Sequence, residues 1–364
     1  MSQFNMNNDI NLLKTKNDFL RYKNVNTMVL FENTNYSVSP LISIVIPTYQ
    51  RVCELKEAIL SAVNQKDCSL DYEIVILDNK SSSECSDEII NFLAHKDFQH
   101  VSIKYYQNDE NIGMFGNWNR CIELARGEWV SFLHDDDLLH KDYLNRVLRL
   151  ITSDLKIDGI CSNVEYFGSK SKWKKTNLVF TKSIKEYANS FLTNRLVEIK
   201  IMDSIFLNSN PYGEPSCGLI LRKSHILNLG GFDESYGAVA DWFFLFKFNN
   251  DYKIYKPFFV TGYYRWEVNE SMKPITIHEF FNGFEIMRKF GSNYCKLGRF
   301  LYKTFKQEQH TLKITELESL IESSGLDKNS FNYICIYKKR ILKFAFYKSM
   351  SKFYKKIKKI INLV

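Results

Sequence analysis

The sequence predicts an α/β fold: a mostly parallel sheet flanked by helices, continued by a helical C-terminal extension. Three observations carry this. Short β-branched runs alternate with amphipathic stretches between residues 41 and 145, the rhythm of strand–helix–strand units. The apolar runs are nearly continuous, as strands buried on both faces require. Polar residues gather where those runs end, which is where parallel sheets bind ligands.

Each element has its own signal. Residues 1–40 are polar and Asn-rich; they read as an extension that packs loosely or covers an edge, closed by Pro40. LISIVIPTY (41–49) is a buried strand stopped by Pro47. In CELKEAILSAVNQ (53–65), Leu55, Ala58, Ile59, Ala62 and Val63 recur at helical spacing and give one buried face. YEIVILDN (72–79) is the second strand. SSSECSDEIINFLAH (81–95) offers serine caps and then a helix. VSIKYYQND (101–109) is a third strand, and NWNRCIELARG (117–127) a helix stopped by Gly127. WVSFLH (129–134) is the fourth strand and delivers Asp135, Asp136 and Asp137. Beyond Leu150 the rhythm weakens. A strand-like IDGICSNVEYF (157–167) precedes a basic loop, SKSKWKK (169–175). Gly230–Gly231 mark a tight turn before a helix in DWFFLFKF, and the chain reads mostly helical past about residue 275.

Composition excludes several classes. The 364 residues are 45% hydrophobic and 25% charged, which rules out a disordered or collagenous chain. The net charge of +8 admits nucleic acid, an anionic membrane or anionic substrates. Much of it lies in YKKRILKFAFYKSMSKFYKKIKKIINLV (337–364). This segment reads as a basic amphipathic helix for an anionic membrane surface. A solvated basic helix packed on the domain is the plainer alternative. The eight cysteines form no CxxC pair, so reduced, cytosolic thiols are expected. No secretory signal is visible, and no run reaches the roughly 18 apolar residues of a membrane span.

Three adjacent aspartates repel one another. One would suffice to cap a helix. Together with Thr48 and Asp78 at matching strand ends, the row reads better as a hard-cation site against a phosphate ligand. GxGxxG and GxxxxGK[ST] are both absent, so neither a dinucleotide fingerprint nor a Walker loop holds that phosphate. Asp241, on residues alone, reads as another helix cap.

SIVIPTYQR (43–51), VILDNKSS (75–82), NIGMFGNWNRCIELARGEWVSFLHDDDLL (111–139) and GGFDESYGAVADWFF (230–244) resemble the family-2 inverting glycosyltransferases of GT-A fold, of bacterial surface-polysaccharide type. The resemblance implies a GT-A-like, Rossmann-related sheet over 41–275. Residues 41–145 would be the nucleotide-sugar half and 146–275 the acceptor half. Residues 276–364 would form a helical, basic C-terminal region. It implies nucleotide-sugar contacts from Pro47, Thr48, Tyr49, Arg51, Asp78, Asn111, Gly113, Asn117, Arg120 and Asp135. Mn2+ or Mg2+ would sit on Asp136, and Asp241 would be the catalytic base. Asp137 would do no more than cap the helix that follows. Glu214, in GEPSCGLILRK (213–223), would contact donor sugar or acceptor, or be a turn carboxylate. Arg265, in YYRWEVNES (263–271), would hold a phosphate. The chain departs from the family pattern at Asn79 and at His134, where acids are usual, and at Glu267, where histidine is. Trp242 reads as core, and His134, His140 and His278 as surface or core histidines.

The expected function is sugar transfer from a nucleotide sugar, UDP-linked by expectation, to a hydroxyl of a lipid-linked oligosaccharide. The setting would be the inner face of the plasma membrane, with no nucleic acid involved. The alternatives are an inactive glycosyltransferase-like binding protein and a sugar nucleotidyltransferase. PTYQRVCELKEA lacks the Gly-rich basic loop that the latter needs.

Overall fold

The computed structural model describes residues 13–33, 40–66, 72–96, 98–168, 196–201, 212–214 and 216–267, with single positions between 276 and 293. The basic loop 169–175, the segment 337–364 and His278 lie outside them.

Strands β1 (Thr27–Asn33), β2 (Ile42–Thr48), β3 (Tyr72–Asp78), β4 (Ser102–Asn108) and β5 (Trp129–Leu133) build one half of a large sheet. Strands β7 (Gly159–Ile160), β9 (Leu196–Ile199), β10 (Cys217–Arg222) and β11 (Ile254–Pro257) build the other. The order is β1-β4-β3-β2-β5-β10-β7-β11-β9. The block β4-β3-β2-β5 is parallel throughout. β1, from the N-terminal region, closes its edge antiparallel, with Thr27 opposite Asn108. It pairs the outer backbone groups of β4 and becomes the outermost strand itself. A second small sheet joins β6 (Leu138–Leu139), β12 (Gly262–Arg265) and β8 (Val164–Phe167).

All seven residues of β2 and of β3 are buried. Ile42, Ile44 and Ile46 face one core cluster, while Val45 faces the other. This two-sided burial is why the sequence shows a continuous apolar run. Helices α1 (Val52–Val63), α2 (Ser83–His95) and α4 (Tyr143–Ile151) bring apolar side chains to the first cluster. α3 (Gly113–Leu124) and α6 (Ala240–Asp251) bring theirs to the second. A short α5 (Lys223–Asn228) follows β10. α1 buries the five residues its spacing singled out. Trp242 is 3% exposed, in the core.

Three local expectations change. α3 begins at Gly113, four residues early, because a left-handed φ of +75° there turns the chain into the helix. It ends at Leu124, so Gly127 is not its stop. A Cβ at Gly127 would meet the Ser43 backbone nitrogen at 2.6 Å, so that glycine serves close packing. The stretch 157–167 splits into β7 and β8. Gly230 and Gly231 hold left-handed φ of +81° and +77°, as a tight turn needs.

Candidate active site

The chain runs outward from β2 through β3 to β4, then returns to β5 on the other side of β2. Such a reversal opens a crevice at the strand ends. Thr48 ends β2 there, and its Oγ1 donates to Asp135 Oδ2 at 2.8 Å. The Tyr49 N–H reaches the same oxygen at 3.4 Å. Arg51 Nη1 donates to Asp135 Oδ1 at 3.1 Å and to Asp136 Oδ2 at 2.6 Å. Burial pushes the Asp135 carboxyl up to about 6; Asp136 adds to this and Arg51 opposes it. Asp137 is 1% exposed. Its oxygens accept from Ser216 Oγ and from the Arg265 N–H, each at 2.9 Å. Burial, then Asp136, holds its carboxyl well above the ordinary carboxylate range.

None of the three caps a helix. Leu138 and Leu139 pair with Tyr263 and Gly262 in the small sheet, and α4 starts only at Tyr143. The cap reading fails, Asp137's included, because the backbone after the row is committed to a strand.

His134 adds a third kind of group. Its Nε2 is buried without a hydrogen-bond partner. Ligand atoms of His134, Asp136 and Asp137 lie within 4.8 Å of one another. Burial pushes the imidazole down to about 4, so it is neutral at pH 7. Two carboxylates and a neutral imidazole form a donor set that suits a divalent cation, and the orphaned nitrogen fits one. Sequence reasoning read His134 as a surface or core histidine and as a departure from the family's acid; the usable signal was its position two before Asp136 at a strand end. His140, by contrast, accepts the Asp142 N–H on Nδ1.

Across the crevice stands Asp241, half-buried in the first turn of α6. Val239, not Asp241, holds the N-cap position. Asp241 Oδ1 accepts the Trp242 N–H at 2.6 Å. Burial pushes its carboxyl up to about 7; that N–H opposes the rise and the charge of Glu214 adds to it. Glu214 Oε1 accepts from the Tyr166 hydroxyl at 2.7 Å. Gly213 before it has φ of +84°, and a Cβ there would meet the Ser162 carbonyl at 2.6 Å.

The crevice measures about 420 Å3. Pro47, Thr48, Tyr49, Arg51, Asn111, Asn117, Asp135, Asp136, Glu214 and Asp241 line it, with His134, Asn79, Trp118, Ser216 and Tyr264 among residues the sequence did not nominate. Four nominated residues do not line it. Asp78, 1% exposed, accepts from the Ser81 N–H, Ser86 Oγ, Tyr105 hydroxyl and Gln107 Nε2, so both oxygens are committed internally. Arg120 donates to the Tyr22 and Val25 carbonyls and to Thr27 Oγ1, away from the crevice. The Gly113 carbonyl accepts from Asn79 Nδ2 at 3.1 Å. Arg265 braces the acidic row from behind, its Nε donating to the Asp136 carbonyl at 2.8 Å. Asn79 also donates to Asn111 Oδ1 at 2.9 Å. A carboxylate could make neither of these bonds, so the amide pins the 111–113 loop where an acid would repel it.

Known proteins place this crevice in context. Residues 43–226, just over half of the chain, match the family described as Glycosyl transferase family 2. An abequosyltransferase, RfbV, of Salmonella typhimurium is 33% identical over 144 residues, covering 38% of this chain and 42% of that protein. A GalNAc(5)-diNAcBac-PP-undecaprenol beta-1,3-glucosyltransferase of Campylobacter jejuni is 34% identical over 111 residues, covering 30% and 34%. The chain thus spans less than half the length of these curated relatives. A mannosyltransferase of Pyrobaculum calidifontis, solved with GDP-Man and Mn2+, shares the fold with a TM-score of 0.52 at 12% identity, covering 90% of this chain and 88% of that one.

Proposed function

The chain belongs to glycosyl transferase family 2, and from that premise we propose that it transfers one sugar from a nucleotide-sugar donor to a hydroxyl acceptor, with inversion. The observation that carries this is Asp241: a carboxylate in the first turn of α6, pushed up to about 7 by burial, on the same crevice as the acidic row.

A sugar hydroxyl is a weak nucleophile. Asp241 accepts its proton as the oxygen attacks the anomeric carbon. The new C–O bond forms on one face while the bond to the diphosphate breaks on the other. The single displacement inverts the centre, and one base suffices. The departing diphosphate lies toward Arg51 and the acidic row. Asp136, with Asp137 and His134, would hold a divalent cation, which neutralises charge on the leaving group when bound. Pro47, Thr48 and Tyr49 flank the nucleotide, and Asn111 and Asn117 line the path of the diphosphate. Asp78 shapes the pocket from behind. Glu214, tied to Tyr166, stands on the acceptor side.

The finer reading is a UDP-linked donor and a lipid-linked oligosaccharide acceptor in surface-polysaccharide synthesis. The undecaprenol-linked name of one relative supports the lipid-linked acceptor. The basic segment 337–364 would hold the enzyme at the inner membrane face. Among the described residues no helix is long and apolar enough to cross a membrane.

The test is release of nucleoside diphosphate from UDP-, GDP- and dTDP-sugars, with Mn2+ or Mg2+ and without. One donor should turn over only with metal. Silence with every donor, joined to absent nucleotide binding, would sink the reading and leave an inactive scaffold.

A further inference from the structure

We propose that His134 is itself a ligand of the divalent cation, and that its nitrogen makes the site favour Mn2+ over Mg2+. This rests on the glycosyltransferase reading above, and it concerns what this chain does differently at a position where the family resemblance leads one to expect an acid.

Four observations converge. The imidazole Nε2 is buried without a partner, and a buried polar atom left unsatisfied needs a physical reason. A ring nitrogen of His134 and carboxylate oxygens of Asp136 and Asp137 lie within 4.8 Å of one another. The backbone at His134 is fixed by its main-chain N–H donating to the Ser216 carbonyl at 2.8 Å, and the ring by Trp118, which packs edge-on at 4.7 Å. Asp137 is pinned from the other side by Ser216 Oγ and the Arg265 N–H. The donors therefore come from one strand end with their geometry set before any cation arrives, as a selective site requires.

The chemistry of the ligand decides the preference. Mg2+ takes oxygen ligands and keeps its waters, in near-ideal octahedral geometry. A nitrogen donor is better matched by Mn2+ and later transition ions. A row of acids offers only oxygen; this row offers oxygen and nitrogen. A histidine that merely packs on Trp118 would fill the same space but leave Nε2 idle.

The experiment uses the full chain with Mn2+ and inorganic pyrophosphate, a diphosphate that carries no nitrogen. Electron spin echo modulation of bound Mn2+ should show a directly coordinated 14N, which 15N-histidine labelling replaces with the 15N pattern. His134→Asp should still bind Mn2+ but lose that modulation, and its Mn2+ over Mg2+ affinity ratio should fall by about tenfold. His134→Asn, matched in fold by circular dichroism, should also lose the modulation. Mn2+ bound without nitrogen modulation, or modulation that survives in both variants, would overturn the proposal while leaving an all-oxygen site. Nucleotide binding with no Mn2+ binding at all would overturn it too, and would leave the transferase reading standing.

Discussion

β2, β3 and β4 each run seven residues, whereas β7 has two and β8, β9, β11 and β12 have four each. The long strands lie in a parallel block whose β2 and β3 are buried from end to end. The short ones are largely half-buried. Besides their backbone pairing, side chains tie the segments around them: Asn163 Nδ2 donates to the Phe258 and Phe259 carbonyls, and Ser162 Oγ to that of Glu214. The acidic row hangs from the parallel block and Asp241 from the other half, so the crevice joins two kinds of construction. On the proposed function, the block would grip the diphosphate and cation, and the other half could vary its loops with the acceptor.

The sharpest way to separate the halves is to disable one at a time. Asp241→Asn should lower turnover by about 10²–10⁴-fold while nucleotide affinity, measured by calorimetry, stays at the wild-type value. Weakened nucleotide binding would mean that Asp241 belongs to the donor grip instead. Phe232 tests whether the halves share one core. It packs on Phe115, Trp118 and Phe132 of the parallel block at 5.9, 5.1 and 5.7 Å, and on Phe244 of α6 at 4.4 Å. Phe232→Ala should cost about 3–5 kcal/mol in urea unfolding, within a single transition. Two separate transitions would break the picture of one joined core.

Asn79→Asp restores the acid of the family pattern but faces it with Asn111 Oδ1 and the Gly113 carbonyl. Stability should drop by about 1–3 kcal/mol, read as a lower unfolding midpoint; no change would remove the structural reason for the amide. The pH profile follows from Asp241. Only its ionised form accepts a proton, and its carboxyl lies up at about 7. Turnover should therefore rise about tenfold per unit below that value and level off above it. A flat profile there would point to another base. The smallest effect belongs to Tyr166→Phe, which frees Glu214 of one hydrogen bond. It should raise the acceptor KM by no more than about tenfold, the worth of a single such bond, and leave donor hydrolysis alone.

The sequence exposed the two halves unequally, for the same physical reason. Continuous runs such as 42–48 and 72–78 are legible because both faces are buried. α1 is legible because one face is. The two-residue strands β6 and β7 carry no period at all, so the aspartates could be mistaken for a helix cap. Polar positions at strand ends pointed to the crevice, and Thr48, Asp135 and Asp136 meet there. The same rule nominated Asp78, because sequence cannot tell a strand-end acid that faces the cleft from one that Tyr105 and Ser86 hold inward. His134 was passed over because a lone histidine names no neighbour in sequence; the carboxyl groups near it, Asp136 and Asp137, are brought round by a turn.

The most direct measurement is calorimetric titration of UDP, with and without Mn2+, into wild type and Asp136→Ala. UDP binding that needs Mn2+ and vanishes in Asp136→Ala is the expected result, and it would join the crevice, the cation and the acidic row in one function. UDP, GDP and dTDP all failing to bind, or binding indifferent to both Mn2+ and the substitution, would contradict it.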